Sequence, residues 1–185
     1  MTFRNSRSHP LEIARVGTPA GGDLGLTLCP GKHDPQAMSG AWARDLHLDL
    51  QAIREWPSAA LVTLLEEHEF ELLRVPDLGA RAVAAGLDWF HLPIRDVSVP
   101  DAQFEETWRR AGSALRAHLE DGDNIVIHCR GGLGRTGLVA CRVLVELGCD
   151  PVEALTAVRA ARPGAVETNA QADYVLDCPW THRAL

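Results

Sequence analysis

His128-Cys129-Arg130-Gly131-Gly132-Leu133-Gly134-Arg135-Thr136-Gly137 decides the reading of this chain. An apolar run, Asn124 to Ile127, precedes it and reads as a short buried strand; Leu138 to Leu147 follows and reads as a helix. A nucleophilic side chain therefore stands where a strand ends and a helix begins. The loop between holds three glycines, so its backbone N–H groups can converge on one point, and the helix N-terminus adds partial positive charge there. Such a point suits a tetrahedral oxyanion such as phosphate. Cys129 opens the loop, where N–H dipoles and a guanidinium favour the nucleophilic thiolate. Arg135 closes it, with a planar fork that grips two oxygens as a lysine cannot.

Working outward, strand and helix signals alternate. Leu11 to Val16 and Leu24 to Leu28 read as strands around a glycine-rich hairpin turn. Trp42, Leu46, Leu50 and Ile53 keep helical spacing, which predicts an amphipathic helix over about residues 40–55. Ala59 to Leu65 is a nearly continuous apolar run, as in a strand covered on both faces. Glu66-Glu67-His68-Glu69 starts a short helix whose charges read as a solvated face, and residues 78–85 form another. Leu87 to Ile94 reads as a strand. Pro100-Asp101 looks like a helix start, with Phe104, Trp108, Ala111, Leu115 and Leu119 on one face. Helices over about 135–147, Pro151 to Ala161 and about 169–176 complete the chain. The alternation predicts one α/β domain, a central, mainly parallel sheet flanked by helices, with the loop at a strand's carboxyl end where ligands bind. Residues 1–10 read as a flexible tail and 11–185 as the single domain.

Composition narrows the function. A chain of 185 residues with 46% hydrophobic and 23% charged residues can bury a sizeable core. The net charge of −7 argues against a nucleic-acid binder, which shows a basic face. No apolar run is long enough to cross a membrane and no signal-peptide core follows the first residues, so a soluble, cytoplasmic protein is expected. Five cysteines without a C-x-x-C pair make a disulfide framework unexpected, and Cys29 with His33 is at most half a metal site; no metal or cofactor is expected. One lysine, Lys32, leaves arginine to supply nearly all positive charge. Arg95, Arg130 and Arg135 are the candidates near an anion, the first two with an equal reading as solvated loop residues.

The loop resembles the signature of cysteine-dependent protein phosphatases, His-Cys-x5-Arg-Thr/Ser-Gly. The resemblance implies attack by Cys129 on a phosphate ester, with Arg130, Gly131, Gly132, Leu133, Gly134 and Arg135 around the phosphate. Such chemistry needs an acid for the leaving oxygen, and Asp96 and Asp101 compete for it; Asp101 has an ordinary task as helix cap. His91-Leu92-Pro93-Ile94-Arg95-Asp96 is similar to the family's acid-bearing segment, which carries the role to Asp96. By the same resemblance Thr136 eases departure of sulfur in the second step, beside an alternative role as helix cap. If the strand continues that far, His128 faces away from Cys129, either to orient the loop by hydrogen bonding or as a satisfied core histidine. Gln171, in a segment Arg162 to Gln171 that resembles one where a glutamine positions the hydrolytic water, is either that residue or a surface glutamine.

Within the superfamily the likeness is to the dual-specificity type, and above all to the cyclin-dependent kinase-associated phosphatases, through Cys29 to Lys32, Trp89 to Asp96 and Arg162 to Gln171. Cys29-Pro30-Gly31-Lys32 departs from that family's Pro-Gly-Cys-Lys pattern. A phosphorylated protein is the implied substrate and partner, a protein kinase among the candidates. Two other readings stand beside it: an inositol-phosphate or phosphoinositide phosphatase, and a catalytically dead phosphate-binding module. Highly anionic substrates call for several cations, whereas Arg130 is the only one at the loop's variable positions. Tyr174 is the only tyrosine, so none precedes the loop to wall a deep slot for phosphotyrosine alone. Hydrolysis of both phosphotyrosine and phosphoserine or phosphothreonine is expected.

Overall fold

The computed structural model describes residues 2–178; Met1 and residues 179–185, the end of the expected domain, lie outside the described residues. The chain opens with β1 (Ala14–Gly17) and β2 (Asp23–Leu28), antiparallel across the expected turn. A two-stranded ribbon follows, β3 (His33–Asp34) and β4 (Trp42–Ala43). Helix α1 (Leu46–Glu55) starts later than the apolar spacing suggests. The reason is local: the Asp45 carboxylate accepts the N–H groups of His47 and Leu48, which starts the helix there, while Trp42 pairs with Asp34 in the ribbon.

Then come β5 (Ser58–Thr63), α2 (Glu67–Leu72), α3 (Leu78–Ala84) and β6 (Asp88–His91). Regular pairing in β6 ends at His91, although the Leu92 N–H still donates to Thr63 O at 2.9 Å and the Ile94 N–H to Leu64 O at 3.2 Å; Pro93 falls at a position that faces away from β5, where a strand edge tolerates proline. Helix α4 (Ala102–Glu120) is capped by Asp101, whose carboxylate accepts the Phe104 N–H at 2.9 Å. Strand β7 (Asn124–Cys129) leads into α5 (Gly134–Glu146), followed by α6 (Pro151–Ala161) and α7 (Asn169–Asp177).

The main sheet has the order β1-β2-β7-β5-β6, parallel everywhere except between β1 and β2. Strand β7 runs between two parallel neighbours and is covered on both faces, which is why it reads as an unbroken apolar run. Ile125, Ile127 and Cys129 join the core under α4 and α5, whereas Val126 joins the one under α1, α2 and α3. The period of two therefore sends Cys129 and His128 to opposite faces, as expected. Each fully buried isoleucine or valine contributes about 1.5–3 kcal/mol, so the strand that carries the nucleophile is anchored by Ile125 and Ile127 on one face and by Val126 on the other.

The expected loose tail is docked instead. The Arg4 N–H donates to Ala41 O and the Ala43 N–H to Arg4 O, both at 2.9 Å, and buried Ser6 accepts the Asp45 N–H at 2.9 Å. These partners lie some 40 positions downstream, where the polar composition of residues 1–10 gives no hint of them.

Candidate active site

The backbone of the loop after β7 is turned by its carbonyls. Lys32 Nζ donates to Arg130 O at 3.1 Å. Arg162, at the end of α6, donates Nε to Gly132 O at 2.6 Å and Nη2 to Gly131 O at 3.2 Å. Leu133 O accepts the Gly137 N–H at 2.8 Å and the Val166 N–H at 3.3 Å. In a planar trans peptide, a carbonyl held outward aims the following N–H the opposite way. Four successive carbonyls so held turn the following N–H groups to the other side: the Gly132 N–H reaches Cys129 Sγ at 3.3 Å, and the last of them, the Gly134 N–H, is held by Glu167 Oε2 at 2.8 Å. Gly132 must be glycine: its φ is +72°, and a Cβ would lie 2.3 Å from Thr27 O.

Arg135 is 1% exposed and doubly bound to Glu69, Nη1 to Oε2 at 2.5 Å and Nη2 to Oε1 at 2.9 Å. Nη1 also donates to Ile94 O at 3.1 Å, and Nη2 pairs with Asp96 Oδ1 at 2.9 Å. Burial opposes the guanidinium's charge, but Glu69, together with Cys129 and Asp96, outweighs it and holds Arg135 above its ordinary value. Burial likewise opposes the Glu69 carboxylate, and the Arg135 bonds override it, keeping Glu69 below its ordinary range. The Nε of Arg135 and the Thr136 hydroxyl are buried without a hydrogen-bond partner among the described residues. Buried polar atoms without partners are rare and call for an explanation. An oxyanion in the loop supplies one for Arg135 Nε.

Asp96 follows β6 in a tight turn, where its N–H donates to Glu66 Oε2 at 3.2 Å and its Oδ1 accepts the Val97 N–H at 3.0 Å. Its side chain is half exposed beside Arg135. Asp101 stays on its cap. The two aspartates are thus separated by geometry, one against the arginine and one on a helix end.

Several expected roles are revised. Arg130 is not available to an anion through its side chain: Nε and Nη2 bind the two oxygens of Asp34 at 2.9 and 3.0 Å. Its part in a phosphate cradle is its backbone. Arg95 is exposed. Glu69 belongs to an acidic run that reads as solvated, yet it is 2% exposed and anchors Arg135. Gln171 is fully buried rather than on the surface. Thr136 does not cap α5, since the helix begins at Gly134 without a side-chain cap. Lys32, Asp34, Arg162 and Glu167, whose Oε2 accepts the Gly134 N–H at 2.8 Å, all escape sequence reasoning. The one available signal was Lys32, a lone lysine beside the departure from the family pattern; it is 1% exposed and burial pulls its pKa down against the pull of Asp34.

Residues 38–149 match the model of a family described as "Polymorphic toxin system, DSP-PTPase phosphatase". Cyclin-dependent kinase inhibitor 3 of Mus musculus is 28% identical over 134 residues, which are 71% of this chain and 62% of that protein. A probable protein tyrosine phosphatase type IVA B of Dictyostelium discoideum is 34% identical over 86 residues, 45% of this chain and 52% of its own length. The chain thus spans between half and two thirds of these curated relatives. Among solved structures, kinase associated phosphatase with its catalytic cysteine replaced by serine superposes with a TM-score of 0.82 at 25% identity, over 95% of this chain and 98% of that one. Tk-PTP in its active form gives a TM-score of 0.64 at 27% identity, over 89% and 94%.

Proposed function

Since this chain belongs to the polymorphic-toxin-system DSP-PTPase phosphatase family, we propose that it hydrolyses phosphotyrosine and phosphoserine or phosphothreonine monoesters on proteins through a cysteinyl-phosphate intermediate. The observation that carries the proposal is the pairing of a buried thiol under an inward row of N–H groups with a buried arginine whose Nε has no partner.

The Cys129 thiolate attacks phosphorus in line with the ester oxygen. As the S–P bond forms and the P–O bond breaks, loop N–H groups and the Arg135 Nε–Nη2 edge hold the equatorial oxygens. The Asp96 carboxyl gives its proton to the leaving oxygen, which departs as a neutral alcohol or phenol. Water then attacks phosphorus, the Asp96 carboxylate takes a proton from it, and the S–P bond breaks to return the thiolate. The Thr136 hydroxyl donates to the departing sulfur, a use for a buried group with no other partner. Asp96 sits on Arg135 Nη2 before substrate binds, so an entering phosphate competes with that carboxylate for the arginine.

Substrate class follows from charge. With Arg130 tied to Asp34, the rim gains no free cation from the loop, and Asp96, Glu66 and Glu167 add acidic groups around it. Such a rim opposes a ligand with several phosphates and tolerates a single phosphorylated side chain. The kinase-associated relatives point to a phosphorylated kinase among the candidate substrates, and thiols without a disulfide framework suit the cytoplasm. The test is kcat/KM across matched phosphotyrosine peptides, phosphothreonine peptides and inositol polyphosphates at one ionic strength. Both peptides should be hydrolysed. A preference for an inositol polyphosphate above about tenfold, ~1.4 kcal/mol in transition-state binding, overturns the assignment.

A further inference from the structure

We propose that Gln171 is a positioning residue for the acid step, acting on Asp96 through the Ser98 carbonyl, and that it takes no part in holding the hydrolytic water; this rests on the proposed phosphatase mechanism. Gln171 stands in the first turn of α7 and is 0% exposed. Its Oε1 accepts the N–H groups of Glu167 at 3.1 Å and Thr168 at 3.4 Å, and its own N–H donates to Thr168 Oγ1 at 3.1 Å. These bonds fix the amide plane. Nε2 is then aimed at Ser98 O, 3.1 Å away and 73 residues back in the chain.

Ser98 ends the turn that carries the acid. Its N–H donates to Arg95 O at 3.1 Å, and its hydroxyl donates to Asp96 O at 3.3 Å. Between them Val97 has φ 57°, the left-handed region, where a β-branched side chain is strained and must be held by its surroundings. The turn is held from two sides. Glu66, at the start of α2, accepts the Asp96 N–H, and Gln171, at the start of α7, grips the carbonyl at the other end. Without the Gln171 bond, one side of a strained turn is free to relax, and the Asp96 carboxyl shifts relative to the leaving oxygen. A water-holding role needs an amide face open to the site. Here both lone-pair directions of Oε1 and one Nε2 hydrogen are already used, in a fully buried group.

The two roles separate kinetically. kcat/KM ends with formation of the cysteinyl phosphate, so a residue on the hydrolytic water changes kcat alone, whereas one that aims the acid changes kcat/KM, most for poor leaving groups. The variant is Gln171→Glu, which keeps an acceptor for the α7 cap and sets an oxygen against Ser98 O; Gln171→Met, with neither donor nor acceptor, replaces it should the first fail to fold. Each is measured on a series of aryl phosphates, alone and with Asp96→Asn. For the poorest leaving group kcat/KM should fall about tenfold or more, for the best less than about twofold, with no further loss once Asp96 is asparagine. A loss uniform along the series, an unchanged kcat/KM with a burst of leaving group, or a loss that persists beside Asp96→Asn overturns the inference. A wild-type protein inactive on every aryl phosphate instead removes the proposed function itself.

Discussion

His128 couples stability to pH through one buried ring beside the nucleophile. It is fully buried on β7, with Nε2 2.8 Å from Thr63 Oγ1 and Nδ1 facing Cys129 O at 3.4 Å. Cys129 O can only accept, so the proton of the neutral ring lies on Nδ1, and Thr63 Oγ1, which accepts the Trp89 indole N–H at 2.9 Å, donates its own proton to Nε2. Burial pushes the imidazole down to about 3 from its ordinary 6.5. The unfolded chain therefore binds a proton that the folded chain refuses. The stability this represents is complete above the unfolded value and is lost as pH falls toward the folded one. Between pH 7.5 and pH 5.0 the loss is RT ln(1 + 10^1.5) less a negligible remainder, about 2 kcal/mol. It is set by the unfolded value and changes little if the folded one is a unit higher. Glu69 and Asp34, both held below ordinary carboxylate values, add losses of the same sign mainly at lower pH. Urea unfolding at the two pH values measures the difference directly. Wild type should lose about 2 kcal/mol and His128→Gln much less. Equal stability at both pH values, or the same loss in the variant, refutes the reasoning.

Arg135→Lys should lower kcat/KM by about 10² or more, because a point charge replaces neither the fork on Glu69 nor the partnerless Nε; near-normal kinetics on an aryl phosphate contradict that role. Asp96→Ala should cost activity on poor leaving groups, about 10²–10⁴ in kcat, whereas Asp101→Ala should cost about 0.5–2 kcal/mol of stability; kinetics and thermal melts on both variants would expose a reversed assignment. Val97→Gly relieves a left-handed β-branched residue, so its stability in urea unfolding should match or exceed wild type, and a loss of about 1 kcal/mol or more, the size of the whole glycine cost, speaks against strain at this turn.

What could be read from the sequence was whatever local patterning determines. The apolar run before Cys129 and the glycines after it specify strand, loop and helix within a dozen residues, and Asp101 announces its helix by capping chemistry. The parallel sheet follows from alternation of strands and helices. What could not be read was the set of long-range partners. Glu69 lies 66 positions before Arg135 and looks like one more solvated acid, while Asp34 lies 96 positions before Arg130 and reverses the expected use of that arginine. Trp42 keeps a helical spacing with Leu46 but belongs to a ribbon, because Asp45 caps the helix after it. Gln171 has the polarity of a surface residue and the burial of a core one, since its amide is satisfied by two segments that meet only in the folded chain.

The proposed hydrolysis runs through a covalent bond between Cys129 and phosphate. Rapid acid quench during turnover of an aryl phosphate, followed by mass analysis of the peptide that contains Cys129, tests it most directly. One added phosphoryl group is expected on Cys129 and none in Cys129→Ser, a variant that should still bind vanadate or phosphate through the loop N–H groups and Arg135. Turnover at the wild-type rate in Cys129→Ser, or turnover with no phosphoryl group ever found on the cysteine, would contradict it.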